Sequence, residues 1–276
     1  MVSKASVLIV LSFFACLRAA FAQTDTELSA LPSAPLPQAQ QNLERQISWR
    51  QIFPNVLKDE KEIWWEFPKD LGHGKHWLPT SLTLAGTAGL IALDPHVEPY
   101  FRRTTTFQGF NRVMSFNGTI AAMAAVPATT YFVGLATHKT YAKQTAQLTV
   151  ECLIAAGIPA LVTRDITRRL PPSDIPPYGD FSNSWFRSHR GPFYFGAGGF
   201  PSGHTLAAFS VATVFSERYR NHRWIKWVAY TGAGAIAFSR ITKQAHFPSD
   251  VFAGAALGYA TAHFVVLSHY RSSRDP

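Results

Sequence analysis

The chain has 276 residues, of which 47% are hydrophobic and only 16% are charged, and its net charge is +9 with histidine neutral. Soluble proteins carry charge on about a quarter of their residues, so this composition favours a membrane protein or a very apolar helical core. The basic excess suits anionic lipid or a phosphate substrate, and no nucleic-acid-binding motif is present, so nucleic acid is not an expected partner. The two cysteines, Cys16 and Cys152, form no intrachain disulfide in the mature protein because the first lies in a leader. No Cys/His cluster has the spacing of a zinc site, so no metal is expected.

The N-terminus predicts export and then a linker. Residues 1–22 resemble a signal peptide, with Lys4 at the charged start, an apolar run over residues 5–17 and a small-x-small cleavage site at residues 20–22. A bacterial periplasm is the expected compartment. Residues 23–46 are rich in Pro, Ala, Ser and Gln without apolar periodicity, which predicts a disordered linker.

Residues 47–77 form an amphipathic segment in which apolar and aromatic side chains mix with Lys and Glu. Two interpretations are equally compatible with the pattern. The segment lies at a membrane interface, where such aromatics are common, or it is a helix packed on the core through the same face. The apolar side chains are Ile52, Phe53, Val56, Leu57, Ile63, Trp64, Trp65 and Phe67.

Six apolar stretches follow, separated by basic or Gly/Pro-rich breaks. None shows the alternation of a strand, so we predict an all-α fold, a bundle of about six helices over residues 78–270, with a C-terminal tail at 271–276. Four of the stretches approach the length of about 20 residues that a bilayer requires. A membrane-embedded bundle is therefore favoured, with a soluble helical bundle as the alternative. The stretches are residues 79–93, 118–136, 145–162, 204–215, 224–241 and 251–268.

The basic residues predict an orientation. They cluster after the second, fourth and sixth stretches, and the positive-inside rule assigns such breaks to the cytoplasm. The other ends then face the periplasm, provided that the short first stretch does not span and five crossings follow it. The basic residues are Lys139, Lys143, Arg218, Arg220, Arg223, Lys226, Arg271 and Arg274.

A Pro-Ser-Gly-His sequence, residues 201–204, precedes the fourth stretch. Pro201 and Ser202 predict a helix start with the serine as its cap. Gly203 lets the backbone approach a ligand, and the unpaired N–H groups of a first helical turn attract anions. His204 can hold or transfer a proton there. On this fragment alone, a capped helix with a surface histidine is an equally good interpretation.

A second polar cluster covers residues 239–250, "SRITKQAHFPSD". His246 and Asp250 are four residues apart, so they can meet across the first turn of a helix that starts near Phe247 or Pro248. An aspartate bonded to one ring nitrogen fixes the tautomer and leaves the other nitrogen free to act. Arg240 can present its guanidinium to an oxyanion.

A third cluster, residues 163–174, holds Arg164, Arg168 and Arg169 at the end of the third stretch. It lies on the same side of the alternation as the other two clusters. An anion site is therefore favoured over a solvated charged surface.

Together the three clusters resemble the motifs of the type 2 phosphatidic acid phosphatase family, which shares its fold with vanadium haloperoxidases. The family motifs are Lys-x6-Arg-Pro, Pro-Ser-Gly-His and Ser-Arg-x5-His-x3-Asp. The second and third are complete at residues 201–204 and 239–250, within a resemblance that spans residues 78–268. The first is altered: with Arg164 in the lysine place, Pro171 occupies the arginine place, and Arg169 or Arg168 is the candidate replacement.

The resemblance implies a role for each matching residue. His246 is the expected nucleophile, which forms a phosphohistidine, and Asp250 orients it. His204 is the expected general acid and then the base that activates water. No metal or cofactor is implied, because cations and backbone N–H groups take the charge of the phosphoryl group. The implied phosphate ligands are Arg240, Arg164, Arg169 and the backbone at Ser202 and Gly203.

The function expected from this resemblance is a metal-independent phosphatase. Its substrates would be lipid phosphates or diphosphates, such as undecaprenyl diphosphate, phosphatidate, phosphatidylglycerol phosphate or lipid A phosphates, at the periplasmic face of a bacterial inner membrane. Three alternatives stay open: a soluble periplasmic acid phosphatase acting on small phosphomonoesters, a vanadate-dependent haloperoxidase, and a non-catalytic membrane protein that binds anionic lipid.

The sequence also suggests where the substrate pocket lies. We expect its walls to come from loops at residues 94–116 and 173–199. The aromatic residues of the second loop predict an apolar rim, although plain packing explains them nearly as well. These aromatics are Tyr178, Phe181, Trp185, Phe186, Phe193 and Tyr194.

Overall fold

The computed structural model describes residues 45–115, 119–188 and 198–270. The predicted signal peptide, nearly all of the linker and the C-terminal tail lie outside these residues, as do Arg271, Arg274, Phe193 and Tyr194.

Most of the described residues are helical and none forms a strand, which confirms the all-α prediction. The first helices are the segment α1 (Trp49–Lys61), a π-helical turn (Glu62–Glu66), α2 (Phe67–Gly72), α3 (Trp77–Arg103) and α4 (Gln108–Met114). They are followed by α5 (Thr119–Ala136), α6 (Thr140–Thr167), a 3-10 turn (Pro172–Asp174) and α7 (Gly203–Arg218). The last are α8 (Arg223–Thr242) and α9 (Pro248–Ala260), which continues through a π-helical turn (Thr261–Val266) and a 3-10 turn (Leu267–Tyr270).

Each of the six predicted stretches corresponds to one helix, but α3 is much longer than expected. The predicted pocket loop at residues 94–116 is wrong over most of its length, because α3 continues to Arg103 through Pro95 and Pro99. Proline normally disfavours a helix interior. Here tertiary contacts outweigh that preference: Asp94 is fully buried, and Arg102 donates hydrogen bonds to three carbonyl groups of residues 172–176.

Helix α7 lies at the centre of the bundle and packs against α6, α8 and α9. It lies close to α9, where a Cβ atom added to Gly254 would lie 2.4 Å from the carbonyl oxygen of Ser202 and one added to Gly258 would lie 2.3 Å from that of Leu206. Because no side chain separates the backbones there, the N-terminal turns of α7 and α9 lie side by side. Helix α3 packs on the other side of α9.

Three helices are long and apolar enough to cross a membrane: α5, α6 with its following turn to Asp174, and α9 with its continuation to Tyr270. They correspond to the second, third and sixth predicted stretches. Helices α7 and α8 do not meet the same criterion of length and hydropathy, so the predicted count of five crossings stays a prediction.

The amphipathic segment packs on the bundle through one face only. Helix α1 contacts α6 and buries Ile52 and Val56, while Phe53 and Leu57 are exposed on its other face. The packing interpretation is therefore observed for the inner face. The outer face exposes apolar side chains, which include Trp64 and Trp65 of the π-helical turn. Contact of this face with a membrane interface stays a prediction.

Candidate active site

The three polar clusters meet at one end of the bundle. The C-terminal part of α6 supplies Arg164, and the first turn of α7 supplies His204. The last turn of α8 supplies Arg240, and the segment joining α8 to α9 supplies His246. Burial lowers the pKa of His204 most, and Arg240 and Arg164 are close enough that their positive charges lower it further.

The first turn of α7 leaves backbone donors free, although not the ones expected. The helix begins after Ser202 as predicted, but the serine side chain caps no N–H group and instead accepts a hydrogen bond from the Thr205 hydroxyl (3.1 Å). The N–H group of Ser202 donates to the carbonyl of Asp250 (2.9 Å), so it is not available to phosphate and this prediction is wrong. The N–H groups of Gly203, His204 and Thr205 have no acceptor among the described residues. Such groups attract anions.

Arg164 lies against this turn. Its Nε and Nη2 atoms donate to the carbonyl of Pro201 at 2.9 and 2.8 Å. A Cβ atom on Gly203 would lie 2.5 Å from Nη2, so glycine is needed at that position for the guanidinium to approach the backbone. The group that approaches the backbone at Gly203 in this structure is therefore the guanidinium of Arg164.

Arg240 is 5% exposed and is held by hydroxyl groups rather than by an acid. It donates to Ser115 and to Ser239, and it forms no ion pair with a carboxylate in the described part of the chain. Burial lowers the pKa of Arg240 to about 10, which leaves it cationic at neutral pH. Lys243 lies nearby and donates to the carbonyl of Ser115 (2.8 Å). Burial and the charge of Arg240 lower the pKa of Lys243.

The ring of His246 is oriented by a backbone carbonyl. Its Nδ1 atom lies 2.7 Å from the carbonyl oxygen of Gly199. Because a carbonyl only accepts hydrogen bonds, Nδ1 carries the proton and Nε2 keeps its lone pair. Helix α9 begins at Pro248, as predicted, but the carboxylate of Asp250 is 3.7 Å from Nδ1, beyond hydrogen-bonding distance. Asp250 therefore acts on His246 through its charge.

Arg169 does not face the phosphate site, so the prediction that it replaces the missing arginine is wrong. It is 1% exposed, and its guanidinium donates at 2.6 Å to each of Asp94, Asp250 and Ser249. The rings of Trp185 and Phe247 cover it, with centroids 4.3 and 4.0 Å from the guanidinium carbon. With its Nε bonded to Ser184 as well, the guanidinium uses four of its five N–H donors inside the protein, and its burial keeps it away from a substrate.

The imidazole of His204 lies in a strongly positive environment. Burial, followed by the charges of Arg240, His246, Arg164 and Lys243, lowers the pKa of His204 to about 3. Without a bound anion the ring is therefore neutral near pH 7, and a bound phosphate group would reverse this effect.

The predicted aromatic rim divides into two groups. Phe181 is buried against Phe247, and Trp185 packs on Phe200 and Arg169, so both are packing residues. Tyr178 and Phe186 are exposed.

Sequence reasoning missed Asp94, which pairs with Arg169, and Gly199, which binds His246. In the part of the chain that the structure describes, no group of three or more His, Cys, Asp or Glu side chains is arranged to hold a metal ion.

Comparison with known proteins agrees with this geometry. Residues 145–274 match the family model of the PAP2 superfamily. A lipid A 1-phosphatase of Porphyromonas gingivalis is 43% identical over 63 residues, which are 22% of this chain and 14% of that protein. A lipid A 4'-phosphatase of the same organism is 33% identical over 97 residues, covering 35% of this chain and 39% of that protein. The bacitracin transport permease protein BcrC of Bacillus licheniformis is 39% identical over 66 residues, which are 24% of this chain and 31% of that protein.

Among solved structures, a transmembrane PAP2 type phosphatidylglycerolphosphate phosphatase from Bacillus subtilis aligns with a TM-score of 0.41 and 16% identity, over 82% of this chain and 98% of that chain. The chain covers less than two fifths of the length of each curated relative it matches. Residues 145–274, which contain both complete motifs, are the part of the chain that is similar to the PAP2 superfamily. Its long apolar helices make it a membrane protein.

Proposed function

We infer that the chain is a membrane phosphatase that releases phosphate from lipid phosphates or diphosphates through a phosphohistidine at His246. The observation that carries this inference is the group of cations around the first turn of α7. Arg164 and Arg240 form no ion pair with a carboxylate among the described residues, and three backbone N–H groups beside them are free. Fixed positive groups of this kind stabilise the charge of a transferring phosphoryl group.

In the first step, His246 attacks phosphorus. The Nε2 lone pair forms the P–N bond as the bond from phosphorus to the leaving oxygen breaks. The ring becomes positively charged, and the Gly199 carbonyl and the Asp250 carboxylate on its Nδ1 side stabilise that charge. The leaving alkoxide or phosphate oxygen needs a proton, which His204 donates.

In the second step, His204 acts in the opposite direction. Now neutral, it accepts a proton from a water molecule whose oxygen attacks the phosphohistidine. The P–N bond breaks, inorganic phosphate is released, and His246 regains its lone pair. The substrate supplies the negative charge that allows His204 to be protonated in the first step, because the free site disfavours its charged form.

An apolar groove favours a lipid substrate over a small phosphomonoester. The groove has a volume of about 320 Å³, and its lining includes both Arg164 and Gly203 at the phosphate site. Its other walls are apolar side chains of α5, α6 and α7 that include Ile120, Met123, Leu153, Leu161 and Leu206. A hydrocarbon chain attached to a bound phosphate can lie there. The relatives named as lipid A phosphatases support the same substrate class.

The periplasmic face is part of the proposal. Basic residues lie at the end of the bundle opposite the active site; they include Lys139 before α6 and Lys143 within it. By the positive-inside rule, they support a cytoplasmic position for that end of the bundle. The active-site end then faces the periplasm, as the predicted signal peptide also suggests.

The test measures phosphate release by purified protein in detergent micelles with excess EDTA. The substrates are phosphatidate, phosphatidylglycerol phosphate, lipid A, undecaprenyl diphosphate and the water-soluble p-nitrophenyl phosphate. We expect release from at least one lipid at a higher kcat/KM than from the soluble ester, inhibition by vanadate, and no turnover by His246→Ala. Activity that EDTA abolishes and Mg²⁺ restores would contradict the mechanism. Release from the soluble ester alone would contradict the lipid assignment.

A further inference from the structure

A buried ionic cluster lies at the first turn of α9. It consists of Asp94 from α3, Arg169, Ser249 and Asp250, and each of these side chains is at most 1% exposed. Only Asp250 belongs to the three motifs. Asp94 also lies outside residues 145–274, the part of the chain that matches the superfamily model.

Asp94 uses both carboxylate oxygens. Its Oδ2 atom accepts a 2.6 Å hydrogen bond from Nη2 of Arg169 and another from the Ser249 hydroxyl. Its Oδ1 atom accepts a 3.1 Å hydrogen bond from the backbone N–H of Ser249. Asp94 therefore caps the first turn of α9 and fixes one edge of the Arg169 guanidinium.

Arg169 leads to His246 by two routes. Through its side chain, Nη1 donates to Oδ1 of Asp250 (2.6 Å), whose Oδ2 lies 3.7 Å from Nδ1 of His246. Through its backbone, the Arg169 carbonyl accepts a hydrogen bond from the N–H of Gly199 (2.7 Å), whose own carbonyl binds Nδ1 of His246 (2.7 Å). Both groups that act on the His246 ring are thus attached to Arg169.

We propose that Asp94 is a positioning residue of the active site. By holding Arg169 and the first turn of α9, it keeps Asp250 and the Gly199 carbonyl where they orient His246 for attack on phosphorus. This role rests on the proposed phosphatase function. It also gives the altered first motif a purpose, since Arg169 pairs with Asp94 instead of with the substrate.

The expected effect is on chemistry rather than on substrate binding. Asp94 touches neither the free N–H groups of α7 nor Arg164 or Arg240, so its neutralisation leaves the phosphate ligands in place. A displaced nucleophile slows the attack, and a misplacement of about 1 Å costs up to about a hundredfold in rate. In Asp94→Asn we expect kcat to fall by about ten- to a hundredfold while KM changes by less than about threefold.

Glu98 provides the matched control. It lies one turn along α3 from Asp94 and is equally buried, but its carboxylate accepts no hydrogen bond from the described residues. Glu98→Gln makes the same isosteric change at a carboxylate that accepts no hydrogen bond from Arg169 or from the first turn of α9 in the described residues. We expect its kcat to stay within about threefold of the parent, since only surroundings remote from the reacting atoms change.

The experiment compares kcat, KM and the single-turnover rate of His246 phosphorylation in the parent, Asp94→Asn, Glu98→Gln and Arg169→Lys. Lysine keeps the charge but cannot bridge two carboxylates as the guanidinium fork does. A slow phosphorylation step in both Asp94→Asn and Arg169→Lys, with KM preserved, supports the proposal. If Asp94→Asn does not fold, Arg169→Lys alone decides by the same criterion.

Three results would overturn the positioning role. In the first, Asp94→Asn matches Glu98→Gln in kcat while the parent is active. In the second, KM rises and the phosphorylation rate does not change. In the third, neither Asp94→Asn nor Arg169→Lys folds, which assigns Asp94 a purely structural role. A parent that is inactive on every lipid phosphate refutes the proposed function itself, and that result needs no variant.

Discussion

Binding of an anion at the active site should be coupled to protonation of His204. Burial and, after it, the cations around this ring lower its pKa from 6.5 to about 3, which disfavours the charged form by about 4 to 5 kcal/mol at 1.36 kcal/mol per pKa unit. A single negative charge about 4 Å away contributes about 4 kcal/mol in the opposite direction at an effective dielectric constant of 20. The electrostatic effect of a bound dianion is therefore large enough to keep His204 protonated. We expect each anion that binds near neutral or mildly acidic pH to be accompanied by the uptake of one proton.

Sulfate is a suitable probe because it resembles phosphate and stays a dianion from about pH 4 to pH 8. Its dissociation constant should rise by about tenfold per pH unit wherever the bound state holds the extra proton and the free state does not. Titration calorimetry in two buffers of different ionisation enthalpy measures the proton uptake directly. In His204→Gln the affinity should lose this pH dependence. The same slope in His204→Gln as in the parent would refute the coupling.

Three further predictions concern the groove, a buried acid and a close helix contact. Ala124 lines the groove, whereas Ala121 on the same helix is exposed outside it. Ala124→Trp should therefore raise the KM of a long-chain lipid phosphate by about tenfold, or 1.4 kcal/mol. Ala121→Trp should keep a KM near that of the parent, and neither variant should change the KM of the soluble ester. Burial and the charge of Asp94 raise the pKa of Glu98 from 4.5 to about 8, so the folded protein binds more protons than the unfolded chain between these values. The contribution of Glu98 to stability is complete below about pH 4.5 and is lost as the pH rises toward 8, by at most about 5 kcal/mol. In Glu98→Gln, thermal unfolding should show a smaller decline in stability over this pH range. A Cβ atom at Gly254 would meet the Ser202 backbone, so Gly254→Ala should destabilise the protein by about 1–3 kcal/mol. A Cβ atom at Gly232 would have no atom within 4 Å, so Gly232→Ala should stabilise the protein by up to about 1 kcal/mol. Equal thermal unfolding of the two variants would contradict the close contact at Gly254.

The helices could be predicted because their apolar runs are long and show no strand-like alternation. Each predicted stretch fell within one helix, and the two complete motifs fell at helix starts. The interval between residues 94 and 116 could not be predicted correctly. Pro95 and Pro99 locally predict a helix break, and the contacts of Asp94 and Arg102 that sustain α3 come from segments at least 70 residues away in the chain.

The active site was predictable only where side-chain chemistry repeats a motif. His204, Arg240 and His246 stand in the two complete motifs, and the structure brings them together. The partner of His246 is a backbone carbonyl at Gly199, and a carbonyl leaves no signature in the residue types. The pairing of Arg169 was hidden for a different reason: an arginine near a phosphate motif suggests a phosphate ligand until a buried carboxylate is known to face it.

Substitution of Arg164 and of Arg169, which are five residues apart, should consequently affect different properties, namely activity and stability. Arg164 touches a carbonyl and the first turn of α7, so Arg164→Ala removes a donor for the phosphoryl group and should lower kcat/KM by about a hundredfold, or about 2.7 kcal/mol, with little change in thermal unfolding. Arg169 neutralises two fully buried carboxylates, so Arg169→Ala leaves Asp94 and Asp250 without their cation and should destabilise the fold by about 3–5 kcal/mol. Thermal unfolding and kcat/KM, measured on both variants in the same micelles, separate the two effects. If Arg169→Ala unfolds at the parent temperature but is inactive, while Arg164→Ala keeps parent activity, Arg169 and not Arg164 is the principal cation for the phosphoryl group. The proposed division of roles would then be wrong as well, because it assigns Arg169 to Asp94 and Asp250 and leaves Arg164 and Arg240 for the substrate.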